Sequence, residues 1–381
     1  MEKSIYFDNA ATTPLDTEVA QRMLPFFSEC YGNADSPHAF GRKAMVAVDC
    51  ARDVVAAALN AKPSEIYFTS GGTEADNWAI LGGARAKRKE GKTHVLISAI
   101  EHHAALFAAE TLEKEGFEVE YIPVNDGGRV ELNTVKRLLR PSTALVCVMR
   151  VNNETGVIQP IEELAPIVKE TGALFFVDGV QAAPHEKIDV KKWGVDLLSI
   201  SSHKLHGPKG CGALYIRSGV KMERLVGGGE QERGMRGGTL NVPAIVGFSA
   251  AVEKTVQGMD TFHRAVEETR KAFLDGISAL DGVQVNGDER YRLGAVLSLS
   301  VDGVDNATLL YRLDLDGLCV AAGSACASAS VKPSHVLTAM GMTEERARQT
   351  VRISFGRQNT AAEGARAAEI FVNAVKSLRK N

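Results

Sequence analysis

The order of short apolar stretches and longer amphipathic stretches from about residue 64 constrains the fold of this chain more than any other feature of its sequence. The stretches predict strands and helices in turn, through EIYFTS, TEADNWAILGGARAKRKE, THVLISA, HAALFAAETLEKEG, FEVEYIPV, TALVCVMRV, PIEELAPIVKETG, ALFFVDG, DLLSISS and GALYIR. Such alternation is typical of a mostly parallel sheet that helices cover on both faces. Because ligands bind at the carboxyl ends of the strands in α/β folds, we expect the functional residues there.

The C-terminal part of the chain has a different rhythm. After GGGEQERGMRGGTL, a helical stretch from about Val242 to Leu280 leads to the strand VLSLSVDGV, a helix through TLLYRLD, a Gly/Ala/Ser loop, the strand VRISFG and a last helix. This order indicates a smaller α+β domain. We therefore predict an α/β fold with a large domain over residues 14–257 and a small domain formed by residues 1–13 and 258–381.

Composition excludes several classes of function. The formal net charge of −3 and the lack of a basic cluster richer than AKRKEGK argue against nucleic acid as a partner, because phosphate binding needs a concentrated cationic surface. The sequence shows no run of about 18 apolar residues and no signal peptide, so we expect a cytoplasmic protein without a membrane partner. The six cysteines lack CxxC spacing, which indicates reduced thiols. A zinc site at His203, His206 and Cys211 would lack a further ligand, so no metal is predicted.

Lys204 lies in SSHKLHGPKG, between two stretches that predict buried strands. It is either a solvated loop lysine or an amine kept among desolvating walls. Burial lowers the pKa of a lysine and frees its lone pair, which suits a nucleophile that forms a Schiff base with a carbonyl. The segment alone leaves both interpretations open.

Further polar groups follow other predicted strands. They are Gly72 with Thr73 at a helix start, Asp178 with Gln181 three residues later, His102 in IEHHAAL, and Asn152 with Asn153 in VNNETG. Each has an ordinary structural role as its alternative: a helix cap, a turn or a packing residue.

Together these groups converge on one crevice at the strand ends, and their chemistry matches pyridoxal phosphate. Lys204 would take the aldehyde, and Asp178 would keep the ring nitrogen protonated so that the ring withdraws electrons. Thr73 and its glycine-rich turn would hold the phosphate through bare N–H groups at a helix start. We therefore predict pyridoxal 5′-phosphate as the cofactor.

The chain resembles the cysteine desulfurases, which are pyridoxal-phosphate enzymes of fold type I in the aminotransferase class V family. The resemblance covers nearly the whole chain in order. It is carried by YFDNAATTPLD, TSGGTEADN, EHHA, VNNETGV, FFVDGVQ, SSHKLHGPKGCGALY, ERGMRGGTLN, GSACASAS and VRISFGR.

The resemblance implies a role for particular residues. Lys204 would form the Schiff base, Cys326 would be the nucleophile, and His102 would stack on the ring and serve in proton transfer. Arg352 would bind the substrate carboxylate, with Asn153 near the ring oxygen and the substrate. The cofactor would be held by Gly72, Thr73, His102, Asn153, Asp178, Gln181, Ser201, His203, Lys204 and, from the other subunit of a homodimer, Thr239.

The implied reaction converts L-cysteine to L-alanine and leaves the sulfur as a persulfide on Cys326. The persulfide would then pass to an acceptor protein such as an iron–sulfur scaffold, for iron–sulfur cluster assembly or another sulfur-containing product. Small residues surround Cys326 in AAGSACASAS, so we expect little anchoring packing and a hydrated, reachable thiolate. The remaining cysteines are interpreted as inert thiols: Cys30, Cys50, Cys147, Cys211 and Cys319.

Other functions stay open from the sequence. A selenocysteine lyase or a small-molecule transaminase has the same fold; a transaminase needs no thiol at Cys326, and only a comparison of substrates separates a lyase from a desulfurase. A sulfur-carrier or scaffold-binding protein could keep the fold without catalysis. Such a protein would not need Lys204, Asp178 and His102, and it would bind no cofactor.

Overall fold

A seven-stranded sheet forms the centre of the molecule in the computed structural model, which describes residues 4–323 and 333–380. Neighbouring strands from β3 to β7 are parallel, whereas β8 runs antiparallel to both β2 and β7. The prediction of a mostly parallel sheet is therefore confirmed. In the spatial order β2-β8-β7-β6-β5-β3-β4, the strands are β2 (Ile66–Thr69), β8 (Gly212–Ile216), β7 (Leu197–Ser201), β6 (Leu174–Asp178), β5 (Thr143–Cys147), β3 (His94–Ser98) and β4 (Glu118–Ile122).

Apolar residues at consecutive positions bury most of these strands on both faces. In β6, Phe175 and Val177 pack into the core on one face, while Leu174 and Phe176 pack into the core on the other. Successive strand residues point to opposite faces, so each face needs its own layer of helices. The helices of this part are α1 (Thr17–Met23), α2 (Pro25–Ser28), α3 (Ala39–Ala58), α4 (Gly72–Asn77), α5 (Gly83–Arg88), α6 (His103–Lys114), α7 (Leu132–Leu138), α8 (Ile161–Lys169) and α9 (Val190–Trp193).

Shorter helical turns connect several of these elements. A π-helical turn, Trp78–Gly82, joins α4 to α5, and 3₁₀ turns lie at Pro63–Glu65, Ser202–Lys204, Gln231–Gly234 and Glu289–Tyr291. None of the helices within the described ranges combines the length and the apolar content that crossing a membrane requires.

A second hydrophobic core lies in the C-terminal part and includes Ile5 and Phe7 of the N-terminal segment. The long helix α10 (Val242–Ile277) contributes to this core through its second half and to the first core through its first half. The predicted boundary at residues 257 and 258 falls inside α10, and the division into domains stays a prediction. The remaining elements are β1 (Ile5–Tyr6), β9 (Val283–Val285), β10 (Val296–Val301), α11 (Asn306–Leu315), β11 (Leu318–Cys319), α12 (His335–Ala339), α13 (Glu344–Ala347), β12 (Thr350–Ser354) and α14 (Ala361–Leu378).

Two small sheets organise this second core. Strand β10 pairs antiparallel with β9 on one side and β12 on the other, and β1 pairs parallel with β11. Asp8 continues from β1 and bridges to Ser354 at the end of β12. The N-terminal segment therefore lies beside β12 before it reaches the large sheet.

A buried ion pair fixes the loop between β8 and α10. The guanidinium of Arg52 on α3 donates to both carboxylate oxygens of Glu232, at 2.8 and 2.6 Å, and to the Ile66 carbonyl at 2.8 Å. Glu232 also accepts the N–H of Phe68 at 2.8 Å, and its φ is +47°. Because a non-glycine residue is strained in the left-handed region, the ion pair holds a conformation that the backbone alone disfavours. We call Arg52, Ile66, Phe68 and Glu232 the Arg52 clamp.

Candidate active site

A cavity of about 210 Å³ lies beyond the carboxyl ends of β3, β5, β6 and β7, next to the start of α4. We call it the strand-end cavity. It contains every predicted site residue of the described ranges except Thr239. Its walls are formed by Ala10, Ala11, Gly72, Thr73, Asp76, His102, Asn153, Asp178, Val180, Gln181, Ser201, His203, Lys204 and Arg352.

Lys204 closes the turn that follows β7, between two fully buried strands, as the sequence predicts. Its Nζ donates to the carbonyl of Ala11 at 2.9 Å and also to that of Ala10. The turn itself is fixed by Thr13, whose N–H and hydroxyl both donate to the His203 carbonyl, at 3.1 and 2.8 Å. The N-terminal segment thus forms one wall of the cavity and orients the lysine.

Asp178 and Gln181 lie at the end of β6, on the cavity floor. Asp178 is 4% exposed and accepts the Val180 N–H at 2.8 Å. Burial raises the pKa of Asp178 to about 6, although the Val180 N–H and the charge of Lys204 act in the opposite direction. The buried Oε1 of Gln181 has no hydrogen-bond partner among the described residues. Because buried polar atoms normally have partners, this atom indicates that a ligand donor belongs beside it.

The start of α4 presents bare backbone to the cavity. A Cβ atom on Gly72 would approach Val180 Cγ2 to 2.8 Å and Ser201 Cβ to 3.6 Å, so only glycine fits here without a shift. His203 Nδ1 lies 3.1 Å from Thr12 Oγ1, which fixes the ring beside Ser201. Gly72, Thr73, Ser201 and His203 all line the cavity, and their assignment to the phosphate stays a prediction.

Thr239 is the predicted site residue that the cavity of its own chain does not include. It is exposed and lies in the loop before α10, which the Arg52 clamp holds. Its assignment to a site shared with another subunit stays a prediction.

His102 is the N-cap residue of α6. Its Nδ1 accepts the Ala104 N–H at 3.2 Å, which leaves the proton of the neutral ring on Nε2. Burial, followed by the charge of Lys204, lowers the pKa of His102 to about 4. The imidazole is therefore uncharged at neutral pH.

Arg352 lies on β12 and reaches the cavity from the second core. The side chain is 2% exposed, with Nη2 at 2.7 Å from Asp8 Oδ1 and Nη1 donating to the Asn153 carbonyl at 3.1 Å. The buried Nε has no hydrogen-bond partner among the described residues. The two contacts fix the orientation of the guanidinium, and its remaining N–H groups can donate to a carboxylate ligand.

The two neighbouring asparagines differ in position. The side-chain oxygen of Asn152 accepts the N–H groups of Glu154 and Thr155, both at 3.0 Å, so this residue organises the turn. Asn153 lines the cavity. The sequence alone offered both roles for the pair, and the structure separates them.

Three carboxyl groups at or near the cavity are absent from the sequence prediction: Asp8, Asp76 and Glu101. Asp8 holds Arg352, Asp76 lines the cavity wall, and Glu101 is fully buried immediately before His102. Asp8 and Asp76 lie inside YFDNAATTP and TSGGTEADN. Their position in motifs that carry the family resemblance was the available signal.

A second cavity of about 360 Å³ adjoins the first and shares Ala10, Gln181 and Lys204 with it. Its walls are largely apolar side chains of α10 and of the segment around β12, among them Phe262 and Phe355. Apart from the shared Lys204, the lysine and arginine on its wall are Lys254 and Arg357, which already pair with Asp16 at 3.0 and 2.5 Å. We therefore place the site in the smaller cavity.

The cysteines of the described ranges do not line the strand-end cavity. Cys147 and Cys211 are buried, and burial raises the pKa of Cys211 to about 12 and that of Cys147 well above its ordinary value. Cys319 is half-buried and also has a raised pKa, because of burial and of Asp314. Cys30 and Cys50 lie away from the cavity, and Cys326, the predicted nucleophile, lies outside the described residues.

The described chain on either side of residues 324–332 contacts Arg352 and Glu154. Ala321 pairs with Arg352 through two backbone hydrogen bonds, and a Cβ on Gly323 would lie 2.8 Å from Glu154 Oε2. On the other side, the Ser334 hydroxyl donates to the same oxygen at 2.5 Å. Glu154 is adjacent to Asn153, so both ends of this stretch meet beside the cavity wall.

Metal ligands do not cluster in this region. Within residues 4–323 and 333–380, histidine, cysteine and carboxylate side chains form no group of three that could hold a metal ion.

Comparison with known proteins defines the class. A profile of the aminotransferase class-V family matches residues 5–365. The cysteine desulfurase IscS of Methanosarcina thermophila is 44% identical over 377 residues, which cover 99% of this chain and 93% of the relative. A solved NifS-like protein matches with a TM-score of 0.91 and 37% identity over 99% of both chains. SspA in complex with cysteine matches with a TM-score of 0.83 and 35% identity, over 93% of this chain and 99% of that one.

The α/β fold with polar groups gathered at its strand ends is the fold of these proteins, so the predicted fold class is confirmed. The chain belongs to the aminotransferase class-V family.

Proposed function

We propose that this protein is a pyridoxal-phosphate-dependent cysteine desulfurase, which converts L-cysteine to L-alanine and carries the sulfur as a persulfide on Cys326. The observation that carries the proposal is the convergence of Lys204, Asp178, His102 and Arg352 on one cavity. The relative from Methanosarcina thermophila is named a cysteine desulfurase and aligns over nearly the whole chain, which supports the reaction. SspA, a structural neighbour, is described in complex with cysteine, which supports the substrate.

The cavity residues fit pyridoxal phosphate. The unpartnered Gln181 Oε1 suits a ring hydroxyl, the buried Asp178 suits a protonated ring nitrogen, and the bare backbone at Gly72 suits the phosphate. Thr73, Ser201 and His203 line the same cavity. When bound, pyridoxal phosphate supplies a carbonyl that takes an amine and a ring that withdraws electrons from the carbon beside that amine.

Substrate binding falls to Arg352 and Asn153. Asp8 and the Asn153 carbonyl hold the guanidinium in one orientation, so its remaining N–H groups can grip the substrate carboxylate. Since the guanidinium is 2% exposed, water competes little for these hydrogen bonds. Arg352 thereby fixes which end of the amino acid enters the site.

Proton transfer falls to Lys204 and His102. Lys204 would hold the cofactor through its carbonyl, and its free amine would serve as the base that takes the α-proton of the substrate. His102 is neutral, and its Nε2–H can donate a hydrogen bond without adding positive charge. Uptake of a proton by this ring would require release of the 3.2 Å contact between Nδ1 and Ala104.

Sulfur transfer falls to Cys326. Its thiolate attacks the substrate sulfur, so that a sulfur–sulfur bond forms while the bond between the substrate Cβ and its sulfur breaks. The electron pair of that bond stays with the carbon side, which takes up protons and leaves as alanine. Gly323 lies three residues before Cys326 in the sequence, and it lies against Glu154, the chain neighbour of the cavity residue Asn153.

The downstream partners follow from this chemistry. The persulfide passes to a thiol acceptor, and we propose an acceptor protein such as an iron–sulfur scaffold.

The exposed Thr239 completes the phosphate site of a second copy of the chain in a homodimer. Size-exclusion chromatography with light scattering tests the homodimer, because it measures the mass of the protein in solution. A Thr239→Ala variant should keep that mass and bind the cofactor more weakly.

The deciding experiment measures alanine formed from L-cysteine by the purified protein with a thiol reductant. Cys326→Ala should bind the cofactor and form no alanine, whereas the exposed Cys50→Ala serves as the matched control and should keep wild-type rates. Alanine formation by Cys326→Ala at the wild-type rate would exclude the persulfide route. If wild type binds cofactor but makes no alanine, selenocysteine and amino acid/keto acid pairs become the substrates to test.

A further inference from the structure

Asp76 is a buried carboxyl in the strand-end cavity that the mechanism above does not use. It lies one turn into α4 and is 1% exposed. The hydroxyl of Ser199 on β7 donates to its Oδ1 at 2.6 Å. Ser199 is the register partner of Asp178 in the neighbouring strand β6. Asp76 and Asp178 therefore reach the same end of the cavity from the helix and from the sheet.

The two carboxyls have unequal support for a negative charge. Asp178 accepts a backbone N–H at 2.8 Å and faces the charge of Lys204. Asp76 accepts the Ser199 hydroxyl, and neither carboxyl takes part in the salt bridges formed by residues 4–323 and 333–380. A hydroxyl can donate to a carboxylate or accept from a protonated acid, so Ser199 supports a neutral Asp76 equally well.

A third carboxyl, Glu101, borders this group after β3. It is fully buried, accepts the Met149 N–H at 2.6 Å and lies 3.5 Å from the Cys147 thiol. The titratable groups that face Asp76 are thus the carboxyls of Asp178 and Glu101 and the thiol of Cys147, with no cation among them. Burial raises the pKa of Glu101 to about 8 and, with the charge of Asp178, raises that of Asp76 well above its ordinary value.

Neighbouring carboxylates in a desolvated site do not all ionise, and the proton stays on the group whose charge is least supported. We propose that Asp76 is a positioning residue that holds a proton at neutral pH and so leaves Asp178 as the single negative charge where the ring nitrogen binds. The inference rests on the proposed cofactor site, because Asp178 needs to be ionised only if it faces a protonated ring nitrogen. One anion then faces one cation, and Asp76 contributes a hydrogen bond to Ser199 without a second charge.

Infrared spectroscopy of the holoprotein at pH 7, in H₂O and D₂O, tests this directly, because a protonated carboxyl has a deuterium-sensitive C=O stretch that a carboxylate lacks. Asp76→Asn, an isosteric neutral variant, should remove one such component, and Glu101→Gln, the matched control, should remove a different one. Ser199→Ala should shift the frequency of the Asp76 component without removing it. A spectrum of Asp76→Asn that keeps every protonated-carboxyl component of wild type would overturn the proposal.

The visible absorbance of the bound cofactor supplies the second readout. Titration of this absorbance with pH gives an apparent pKa. If Asp76 is already neutral below pH 7.5, the apparent pKa of Asp76→Asn in that range should lie within about 0.3 unit of the wild-type value. If Asp76 is ionised, loss of its charge should shift that pKa by about one unit or more, which would also overturn the proposal. A wild-type protein with no visible band would instead count against the proposed function, so the two failures are distinguishable.

Discussion

Two buried charged regions of the molecule, the strand-end cavity and the Arg52 clamp, differ in how completely their polar groups are hydrogen-bonded. In the clamp, Arg52 meets both oxygens of Glu232 in a forked pair and donates to a backbone carbonyl as well. In the cavity, Arg352 meets a single oxygen of Asp8 and the Asn153 carbonyl, and its Nε has no hydrogen-bond partner among the described residues. Both guanidiniums are less than a tenth exposed, so burial alone does not distinguish them.

The difference indicates what each region is for. An unpartnered buried polar atom costs about 1–3 kcal/mol, so it persists where a ligand completes it. Gln181 Oε1 and Arg352 Nε are two such atoms, and both residues line the cavity. The Arg52 clamp is complete within the chain itself and holds a strained loop. Substitutions in the cavity should therefore affect function, and substitutions in the clamp should affect stability.

Lys204→Ala should give the largest functional effect and thereby sharpen the comparison. Loss of the amine that binds the cofactor should lower the rate of alanine formation on the order of 10⁴-fold. The folded state loses hydrogen bonds to Ala10 and Ala11, so the free energy of unfolding of the cofactor-free protein should fall by about 1–2 kcal/mol. Alanine assays and urea unfolding measure the two quantities. An inactive variant that is also largely unfolded would remove the distinction between the regions.

Arg52→Ala should show the reverse pattern. Removal of the guanidinium leaves Glu232 buried without its counter-ion, so the free energy of unfolding should fall by about 3–5 kcal/mol. The specific activity of the folded fraction should stay within about threefold of wild type, because Arg52 does not line the cavity. The double variant Arg52→Met/Glu232→Gln should regain part of the stability, since it buries no unpaired charge. A loss below about 1 kcal/mol for Arg52→Ala would show that the clamp does not stabilise the loop.

The sequence predicts much of the fold because its periodic pattern is local. Alternating strands and helices specify a parallel sheet, and the residues at strand ends must then meet at one edge of it. Lys204, Asp178, His102 and Gly72 could be placed in one crevice for that reason. The return of the N-terminal segment to the second core could be anticipated only in outline, because it depends on pairing with β11 between residues about 310 positions apart, such as Ile5 and Leu318.

The contacts that hold the site residues in position could not be predicted in the same way. Asp8 holds Arg352 across more than 340 residues of chain, and Asp76 meets Ser199 from a helix that crosses the sheet. Such contacts depend on how helices and sheets pack, which no local pattern specifies. The roles of Asn152 and Asn153 likewise differ because of which way each side chain turns, a property of the folded loop.

Arg352→Lys should give a smaller and more specific effect than loss of Lys204. Lysine keeps the positive charge but loses the planar fork, so KM for L-cysteine should rise about 10- to 100-fold with a smaller change in kcat. Asp8→Asn is the matched variant, because it keeps the shape but weakens the contact that orients the guanidinium. It should raise KM less than Arg352→Lys does. An unchanged KM in both variants would place the substrate carboxylate elsewhere.

The smallest effect concerns pH, and it involves a buried histidine of the second cavity and not the Arg52 clamp. Burial lowers the pKa of His185 from 6.5 to about 3, and the ring stacks on Phe262 with centroids 5.3 Å apart. Between pH 6.5 and 3 the unfolded chain therefore binds a proton that the folded protein does not, so stability falls as the pH is lowered through this window. In His185→Gln, the free energy of unfolding should fall less between pH 7 and pH 5 than it does in wild type, because glutamine takes up no proton. The free energy of unfolding is compared for each protein between the two pH values, so the packing lost with the ring cancels. An identical decrease in both proteins would show that His185 does not contribute to the acid sensitivity.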